Sequence, residues 1–343
     1  MQFIKKEYIL GGDIGGTNTN LGVFGIKNNL PKLLLSFHFK SKELKNLYEA
    51  INKTLNCIQK KHNLKITKAC FGIAGILNPS KDNAEITNIS WNVSKKELFK
   101  KTKLNKIVLI NDFEAVGYGI NILAKKDILA IKNAKKVPQA PILVIGAGTG
   151  LGKTLLIYNE DLKFYMPIPS EAGHSDFAAQ NQQEFGLINF IKKNKKIKQS
   201  ISYEHVLSGQ GLSSIYLFFR KGKMFKETVY TKEIDKSKAL PELISKYRKI
   251  DGTCKAAFEI FKAIYAGFAK NFALDSLALG GVYIAGGIAI KNKEIFDADF
   301  VKLFENNYKM KGLLRRMPIY LILDYYAGLL GAGFLGAKKL IKD

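Results

Sequence analysis

Short apolar runs separated by glycines open the chain and recur near its middle. Glu7–Gly11 and Leu21–Phe24 lie on either side of a glycine-rich segment, and Leu33–Phe39 is a third run. Runs of this length bounded by turn residues predict strands, so the chain is expected to begin with a hairpin and a third strand. Ile142–Ile145 and Lys153–Tyr158 flank another glycine-rich turn in the same way. The pattern therefore predicts a second hairpin.

Helical spacing follows each hairpin. Ser41–Asn63 carries apolar residues close to every 3.6 positions, with Ser41 as the predicted cap, and Lys255–Leu279 is predicted as a longer helix. Further strands are predicted at Lys68–Ala74, Lys106–Ile110, Val282–Ala285 and Ile319–Leu323. The order of elements predicts an α/β protein with two related halves. A chain of 343 residues is also long enough for about two domains.

Composition is that of a soluble globular protein, but the formal charge of +25 raises the question of a nucleic-acid partner. The 54 basic residues include only four arginines, and the lysines are scattered in pairs along the chain. Nucleic-acid sites favour arginine and stacking aromatic residues. We interpret the charge as a lysine-rich solvated surface and expect no specific nucleic-acid partner. The densest cluster, residues 192–196, could attract polyanions without specificity.

Cysteine and histidine spacing argues against a metal centre. Cys57, Cys70 and Cys254 form no CxxC pair, and the four histidines form no HExxH motif. A small, odd number of scattered cysteines is typical of a reducing compartment, and no secretion signal is visible, so we expect a cytoplasmic protein. The apolar segment Met317–Ala337 contains Asp324 as well as Gly328, Gly331 and Gly333, which favours a buried strand and helix over a membrane span.

The first glycine-rich turn, residues 11–18 (GGDIGGTN), is a candidate phosphate site. Glycines let the backbone approach phosphate oxygens, and Thr17 and Asn18 add neutral donors. Asp13 at the end of a strand could hold Mg²⁺, through water because this ion loses its hydration shell reluctantly. An ordinary glycine-rich β-turn is the alternative for so short a motif.

The second glycine-rich turn, residues 146–154 (GAGTGLGKT), partly matches a Walker A loop. Ala147 stands where the first glycine of that loop must fall, and the following apolar run predicts a strand instead of the required helix. A second phosphate-facing hairpin is the better interpretation. A strand ending in Gly286–Gly287 could similarly lie against a nucleotide, although a tightly packed strand-to-helix turn explains it as well.

Two groups of polar residues suggest hydroxyl chemistry. Asp112 follows a predicted buried strand, where a carboxylate could accept a proton from a hydroxyl, but on local evidence Asn111 or Asp112 is more simply a helix cap. Glu171, His174 and Glu204 lie near glycines and could pair with the vicinal hydroxyls of a polyol. Taken singly, Glu204 is more simply a residue in the first turn of a helix capped by Ser202.

The order of the motifs is more specific than any one of them. GGDIGGTN, TNISW, INDFEAVGYGI, GAGTGLG, EAGHSDF, YEHVLSGQGL, GGVYIAGGI and GLLGAGFLGA, in succession from Tyr8 to Ala337, resemble the bacterial-type glucokinase family. That family belongs to the superfamily of sugar kinases, actin and heat-shock-chaperone ATPases. The resemblance implies a two-lobed actin-like ATPase (ribonuclease H-like) fold with an inter-lobe cleft. It also implies ATP- and Mg²⁺-dependent phosphorylation of glucose to glucose 6-phosphate, the entry step of glycolysis.

The resemblance also assigns residues. On the phosphate side it implies a first loop at Asp13, Gly15, Gly16, Thr17 and Asn18, with Asp13 toward Mg²⁺, a second loop at Gly148, Thr149 and Gly150, and a nucleotide-side loop at Gly286 and Gly287. On the sugar side it implies a hydroxyl-binding pair at Asn111 and Asp112, with Asp112 as base. It implies further sugar contacts at Asn88, Glu171, His174 and Glu204. The expected domains are a small one, 1–110 plus 328–343, and a large one, 111–327. A homodimer is implied by the resemblance alone.

Alternatives remain open within and outside this family. Ala172 stands where the family usually has glycine and Gln210 where it usually has proline. Because Ala172 lies beside the expected sugar contacts, a kinase for another hexose or an amino sugar is the nearest alternative. The cysteine-bearing zinc motif of the related repressor/kinase group is missing. A sugar sensor that regulates transcription would need a DNA-binding helix pair, and the sequence opens directly on the phosphate-loop hairpin. The presence of Asp112 also argues against a sensor.

Overall fold

A computed structural model describes residues 7–86 and 89–341. Within those residues the strands are β1 (Tyr8–Ile14), β2 (Asn18–Lys27), β3 (Leu30–Lys40), β4 (Lys68–Ile73), β5 (Gly75–Leu77), β6 (Asn83–Ile86), β7 (Val93–Ser94), β8 (Lys106–Asn111), β9 (Ile128–Lys132), β10 (Ile142–Ala147), β11 (Leu151–Asn159), β12 (Phe164–Ile168), β13 (Gly281–Ala285) and β14 (Ile319–Ile322). Each strand predicted from the apolar runs is present.

The helices account for most of the remaining chain. They are α1 (Leu47–His62), α2 (Lys95–Lys101), α3 (Asp112–Gly119), α4 (Gln182–Lys195), α5 (Gly209–Lys221), α6 (Val229–Lys236), α7 (Leu240–Tyr247), α8 (Gly252–Ser276), α9 (Gly287–Lys291), α10 (Ala298–Glu305), α11 (Lys311–Arg315) and α12 (Ala327–Leu340). None of them, over the residues described, is long and apolar enough to cross a lipid bilayer.

The start of the first helix differs from the prediction. Asn46, not Ser41, caps α1: its side chain accepts the backbone N–H of Glu49 at 2.9 Å. Ser41 is buried, and its hydroxyl lies 2.9 Å from that of Thr19 and donates to the carbonyl of Gly15 at 2.5 Å. The prediction of Ser41 as a cap is therefore wrong, because this hydroxyl fastens the first glycine turn instead.

The chain divides into two compact units. Unit 1 comprises the chain up to Asp127, Leu156–Pro169 and the chain from Asp324 onward, and unit 2 comprises Ile128–Leu155 and Ser170–Leu323. The predicted domain boundary at 110/111 stays a prediction, and these units differ from it at 111–127, 156–169 and 324–327, all of which fall in unit 1. Within unit 1, Tyr118 of α3 and Phe164 of β12 both pack against Phe334 of α12.

Unit 1 is built on a five-stranded sheet in the order β3-β2-β1-β4-β8. β1 pairs antiparallel with β2, whereas β1, β4 and β8 are parallel neighbours. Successive residues of β1 point to opposite faces, so Leu10 packs in the core shared with α1 and Ile9 in the core shared with α12. The carboxyl ends of β1, β4 and β8 meet at one edge, which brings the residues after them together.

The final helix approaches α3 closely because it is rich in glycine. A Cβ at Gly331 would lie 1.7 Å from the carbonyl oxygen of Ala115 in α3, and one at Gly333 would meet the ring of Phe24. Any larger residue at position 331 would push α12 away from α3. The C-terminal glycine motif thus fixes the helix that carries Asp112.

Unit 2 contains most of a six-stranded sheet in the order β12-β11-β10-β13-β14-β9, and the division between units passes through β11. β10, β13 and β14 are parallel, and β9 runs antiparallel at the edge. The long helix α8 packs against this sheet, where the hydroxyl of buried Tyr265 accepts the backbone N–H of Ala147 at 3.2 Å. The carboxyl ends of β10 and β13 carry the second glycine turn and Gly286.

Candidate active site

The first glycine turn is a tight, exposed connection between β1 and β2. The N–H of Gly15 donates to the carbonyl of Asn18 at 2.9 Å, and the N–H of Ser41 donates to the carbonyl of Thr17 at 3.0 Å. Thr17 and Asn18 are exposed at its tip. The backbone of this turn is therefore fixed from two sides, while its outer surface can receive an anion.

Asp13 is the last polar residue of β1 before this turn. Burial raises the pKa of its carboxyl group to about 6, and a hydrogen bond with the Asn20 side chain offsets part of that rise. A Cβ at Gly328 would lie 3.4 Å from the Asp13 carboxyl carbon, so the start of α12 closes over this group. A desolvated carboxylate gains from a nearby cation, and one carboxylate plus substrate phosphates is a usual set of Mg²⁺ contacts. The residues present fit a magnesium ion.

The Asn111–Asp112 pair lies where β8 passes into α3. The Asn111 side-chain oxygen accepts the N–H groups of Phe113 at 2.8 Å and Glu114 at 3.2 Å, so Asn111 is the helix cap. Asp112 follows as the first helical residue, and its Oδ1 accepts the Phe113 N–H at 2.9 Å. The capping interpretation thus holds for Asn111, and the helix start orients the Asp112 carboxylate.

Sheet register brings Asp13 and Asp112 together. Asp13 is opposite Gly72 of β4, and Gly72 is opposite Ile110 of β8. A Cβ at Gly72 would lie 3.6 Å from the Asp112 Cα and 2.7 Å from the Ala115 side chain. Glycine at this position lets the start of α3 sit close to β4. Asp13, predicted to hold the cation, and Asp112, predicted to act as the base, therefore lie at the same edge of one sheet.

The second glycine turn joins β10 to β11 in unit 2. The N–H of Gly148 donates to the carbonyl of Gly150 at 2.8 Å, and the N–H of Gly209 donates to the carbonyl of Gly148 at 2.9 Å. A Cβ at Gly148 would meet no described atom within 4 Å. A strand follows the turn, as predicted, which excludes a Walker A loop here.

Glu204 lies against this turn. Its Oε2 accepts the N–H of Leu151 at 2.9 Å, and a Cβ at Gly150 would come within 2.7 Å of the same oxygen. Glycine at position 150 leaves room for the carboxylate. Glu204 is the middle residue of a short 3₁₀ turn, Tyr203–His205, preceded by Ser202. The structure thus connects a predicted sugar contact to a predicted phosphate turn.

Glu171 and His174 lie in a neighbouring segment of unit 2, and both side chains are exposed. The N–H of Tyr203 donates to the carbonyl of Ser175 at 3.0 Å, which ties this segment to the one that carries Glu204. His205 is a separate histidine: its Nδ1 lies 2.8 Å from the Ser202 hydroxyl, and burial lowers its pKa. It is fixed locally and is not among the predicted contacts.

The third glycine pair lies beside the second turn. β10 and β13 are parallel with Gly146 opposite Ala285, so Gly286 follows at the same sheet edge as Gly148. Gly286 has φ +95°, and a Cβ there would lie 2.7 Å from the carbonyl oxygen of Ala147. Gly287 begins α9, and a Cβ there would meet no described atom within 4 Å. Packing requires glycine at 286, whereas space remains above 287.

Comparisons with known proteins agree over the length of the chain. The model of a protein family described as Glucokinase matches residues 10–339. The chain is 36% identical to a glucokinase from Nostoc sp., covering 96% of this chain and 99% of the relative, and 32% identical to one from Synechocystis sp., covering 96% and 98%. This chain belongs to the glucokinase family.

Solved structures share the fold of this chain. A glucokinase from an Antarctic psychrotroph superposes with a TM-score of 0.79 at 24% identity, covering 98% of this chain and all of that one. A Balamuthia mandrillaris glucokinase in complex with glucose has a TM-score of 0.80 at 20% identity, covering 97% and 94%. These superpositions confirm the expected α/β fold of the actin-like ATPase class, and the family model and sequence relatives confirm the expectation of an ATP-dependent glucose kinase.

Within the family, the assignment of individual residues stays a prediction. The structure groups Asp13, Asn111 and Asp112 at one edge of unit 1. It groups the glycines at 148–150 and 286–287 and the side chains of Glu171, His174 and Glu204 in unit 2. The predicted contact Asn88 lies outside the described residues. No cluster of three or more metal-binding side chains occurs in ranges 7–86 and 89–341.

Sequence reasoning missed Glu114. This residue is 6% exposed, and its Oε2 lies 3.4 Å from the backbone nitrogen of Asn111, which completes a capping box with the Asn111 side chain. The spacing Asn111-x-x-Glu114 is the sequence signature of that box, so the signal was available. Its partner, Lys81, has no such local signal because the two residues are 33 positions apart.

Proposed function

We propose that this chain transfers the γ-phosphoryl group of ATP to the 6-hydroxyl of glucose, with Asp112 as the general base. The observation that carries the proposal is the placement of Asp13 and Asp112 at one sheet edge on either side of Gly72. One carboxylate is then available for the proton and the other for the cation that accompanies ATP. The reaction would supply glucose 6-phosphate to glycolysis in the cytoplasm.

Asp112 would accept the proton of the 6-hydroxyl as that oxygen attacks phosphorus. Its Oδ1 accepts the N–H of Phe113, so the carboxylate has a defined direction before substrate binds. Asn111 would bind an adjacent hydroxyl of the sugar. Phosphoryl transfer passes through a loose transition state, so orientation and charge stabilisation supply most of the rate. A base held by a helix start suits that requirement.

The glycine turns would neutralise charge on the phosphates. The first turn, at Gly15, Gly16, Thr17 and Asn18, and the second, at Gly148, Thr149 and Gly150, would direct backbone N–H groups at phosphate oxygens. The N–H groups of Gly15 and Gly148 would not be among them, because they donate within the turns and fix their shape. Gly286 and Gly287 would lie beside the nucleotide. Asp13 would hold Mg²⁺ through water, and this ion would offset charge on the transferred phosphoryl group.

The remaining sugar contacts are proposed at Asn88, Glu171, His174 and Glu204. The joined segments of unit 2 support the last three, because a backbone hydrogen bond holds the segment of Glu171 and His174 beside that of Glu204. Carboxylates suit sugar hydroxyls as paired acceptors. Glu204 also binds the second turn, so sugar contact and phosphate turn would be mechanically connected. We further propose a homodimer, on family membership alone.

The decisive experiment is a coupled assay of wild type and Asp112→Asn with ATP against a panel of hexoses and amino sugars. We expect glucose to be preferred and the variant to lose kcat by about 10²–10⁴, the usual effect of removing a general base, with glucose still bound. A kcat within a few-fold of wild type would show that Asp112 is not the base and serves only at the start of the helix. Preference for another sugar would keep the mechanism and change the substrate.

A further inference from the structure

A buried carboxylate lies two residues after the proposed base and depends on a distant lysine. Glu114 is almost fully buried, and its two carboxylate oxygens lie 3.3 and 3.1 Å from Lys81 Nζ. Removing one partner of such a pair is costly, since the remaining charge is desolvated without compensation. The position of the Glu114 side chain is therefore sensitive to Lys81.

Glu114 also completes the hydrogen bonds at the junction of β8 and α3, which orient the Asp112 side chain. Its Oε2 lies 3.4 Å from the Asn111 nitrogen, while the Asn111 side chain accepts the N–H groups of Phe113 and Glu114. The N–H of Phe113 is shared with Asp112 Oδ1. A shift of Glu114 would consequently move the hydrogen bonds that orient both members of the hydroxyl-binding pair.

The turn that carries Lys81 is held by hydrogen bonds of its own. Lys81 has φ +53°, a conformation that glycine or asparagine usually supplies because a Cβ is disfavoured there. The turn is held by Asn78, whose carbonyl accepts the Lys81 N–H at 2.9 Å and whose side chain accepts the N–H of Asp82 at 2.8 Å. These hydrogen bonds fix the turn from which the Lys81 side chain reaches Glu114.

We propose that Lys81 is a positioning residue for phosphoryl transfer, acting through Glu114 on Asn111 and Asp112. The proposal rests on the proposed role of Asp112 as base. Lys81 touches neither reacting group: it neutralises Glu114 so that the capping box stays closed and the carboxylate of Asp112 keeps its direction. An ion pair that only fastens the β5–β6 turn to α3 would affect stability without this selectivity.

The test compares Lys81→Met, Glu114→Gln and the double variant with a matched control. Lys95 is the control, because it pairs with Asp82 at 3.0 Å in the same turn region and does not contact Glu114. For each protein, kcat, KM for glucose, KM for Mg-ATP and the melting temperature are measured. Lys81→Arg serves as the conservative variant, and Lys81→Gln replaces Lys81→Met if the latter does not fold.

We expect Lys81→Met to lower kcat by at least about 10-fold, since small misplacement of a reacting group costs up to about 10²-fold. KM for Mg-ATP should stay within about 2-fold. The double variant should recover kcat to within about 3-fold of wild type, because glutamine needs no cation and still accepts the Asn111 N–H. Lys81→Arg and Lys95→Met should both behave like wild type.

Three results would overturn the positioning role: unchanged kcat in Lys81→Met, no recovery in the double variant, or equal damage from Lys95→Met. Asp112→Asn, assayed in parallel, separates this failure from that of the proposed function. If Asp112→Asn retains kcat, the base assignment fails and the positioning role fails with it. If Asp112→Asn loses kcat while Lys81→Met does not, the positioning role alone is refuted.

Discussion

Glu204 illustrates how one side chain can be read in two ways. Its sequence context suggests the first turn of a helix, and it does lie in a short 3₁₀ turn, but its Oε2 accepts the N–H of Leu151 in the second glycine turn. A residue that only capped a helix would bind backbone groups of its own turn. The observed contact instead joins its carboxylate to the second glycine turn.

Glu204→Gln tests the sugar contact. The amide can still accept the Leu151 N–H, but it replaces one acceptor with a donor, so a sugar hydroxyl must reorient or lose its partner. Hydrogen bonds to charged acceptors contribute roughly 1.5–3 kcal/mol. We expect KM for glucose to rise by at least about 10-fold, which corresponds to roughly 1.4 kcal/mol. The melting temperature without sugar should hardly change.

Titration calorimetry and a melting curve on one preparation decide the matter for Glu204. Unchanged glucose affinity with a lower melting temperature would show that Glu204 is structural and would remove it from the site.

Asp13 gives a pH dependence with a defined sign. Burial raises the pKa of its carboxyl group from 3.8 to about 6, so the folded protein holds this proton more tightly than the unfolded chain. The associated stability is fully present below about pH 4 and is lost as pH rises through 6. At about 1.4 kcal/mol for each pH unit, the loss is at most about 3 kcal/mol.

Asp13→Asn should remove this dependence. The difference in melting temperature between the variant and wild type is expected to rise as the pH is raised from 4.5 to 7.5. KM for Mg-ATP should rise in the variant, and its affinity for glucose should be unchanged. Asp161→Asn, at an exposed turn, is the matched control. A constant difference in melting temperature across this range would contradict the raised pKa, and equal losses for ATP and glucose would indicate a folding defect.

At the scale of elements, the glycines separate into those that packing requires and those that it does not. Gly331 lets α12 approach α3, Gly72 lets α3 approach β4, and Gly286 has a positive φ. At Gly148 and Gly287, by contrast, a Cβ would meet none of the described atoms within 4 Å. Glycine at these two positions is explained if a ligand comes close to the backbone.

Gly148→Ala tests that explanation for the second turn. Folding should be unaffected, so the melting temperature should match wild type within a few degrees, whereas KM for Mg-ATP should rise by about 10-fold or more because the methyl group occupies phosphate space. Gly312→Ala is the control: position 312 also has no described neighbour within 4 Å, but it lies in α11, outside the proposed site. Equal ATP affinity in both variants would exclude Gly148 from phosphate binding.

At the scale of the whole molecule, the charge of +25 is carried by lysines spread over the sequence. Such a surface attracts polyanions by releasing counterions, without reading their sequence. We expect weak binding to duplex DNA of any sequence at about 50 mM salt, falling by at least about 10³-fold at 200 mM. Fluorescence anisotropy with two unrelated duplexes checks this. A sequence preference, or binding that persists in salt, would contradict the interpretation of a solvated basic surface.

The sequence by itself determined the family, the order of the elements and the kind of chemistry. Apolar runs, glycine turns and helical periods are local signals, and they predicted the strands and the strand after the second glycine turn correctly. The capping box Asn111-x-x-Glu114 is also a local pattern, although Glu114 was not predicted from it. These features depend on neighbours within a few positions, so a linear pattern contains them.

Only the tertiary structure decided which residues face one another. It moved the cap of α1 from Ser41 to Asn46, because Ser41 is recruited by Gly15 and Thr19 of the first turn. It placed Lys81 beside Glu114 and Glu204 beside the second glycine turn, and it set Asp13 and Asp112 on either side of Gly72. Each of these contacts joins residues more than twenty positions apart, and strand register and helix packing, which no local pattern records, bring them together.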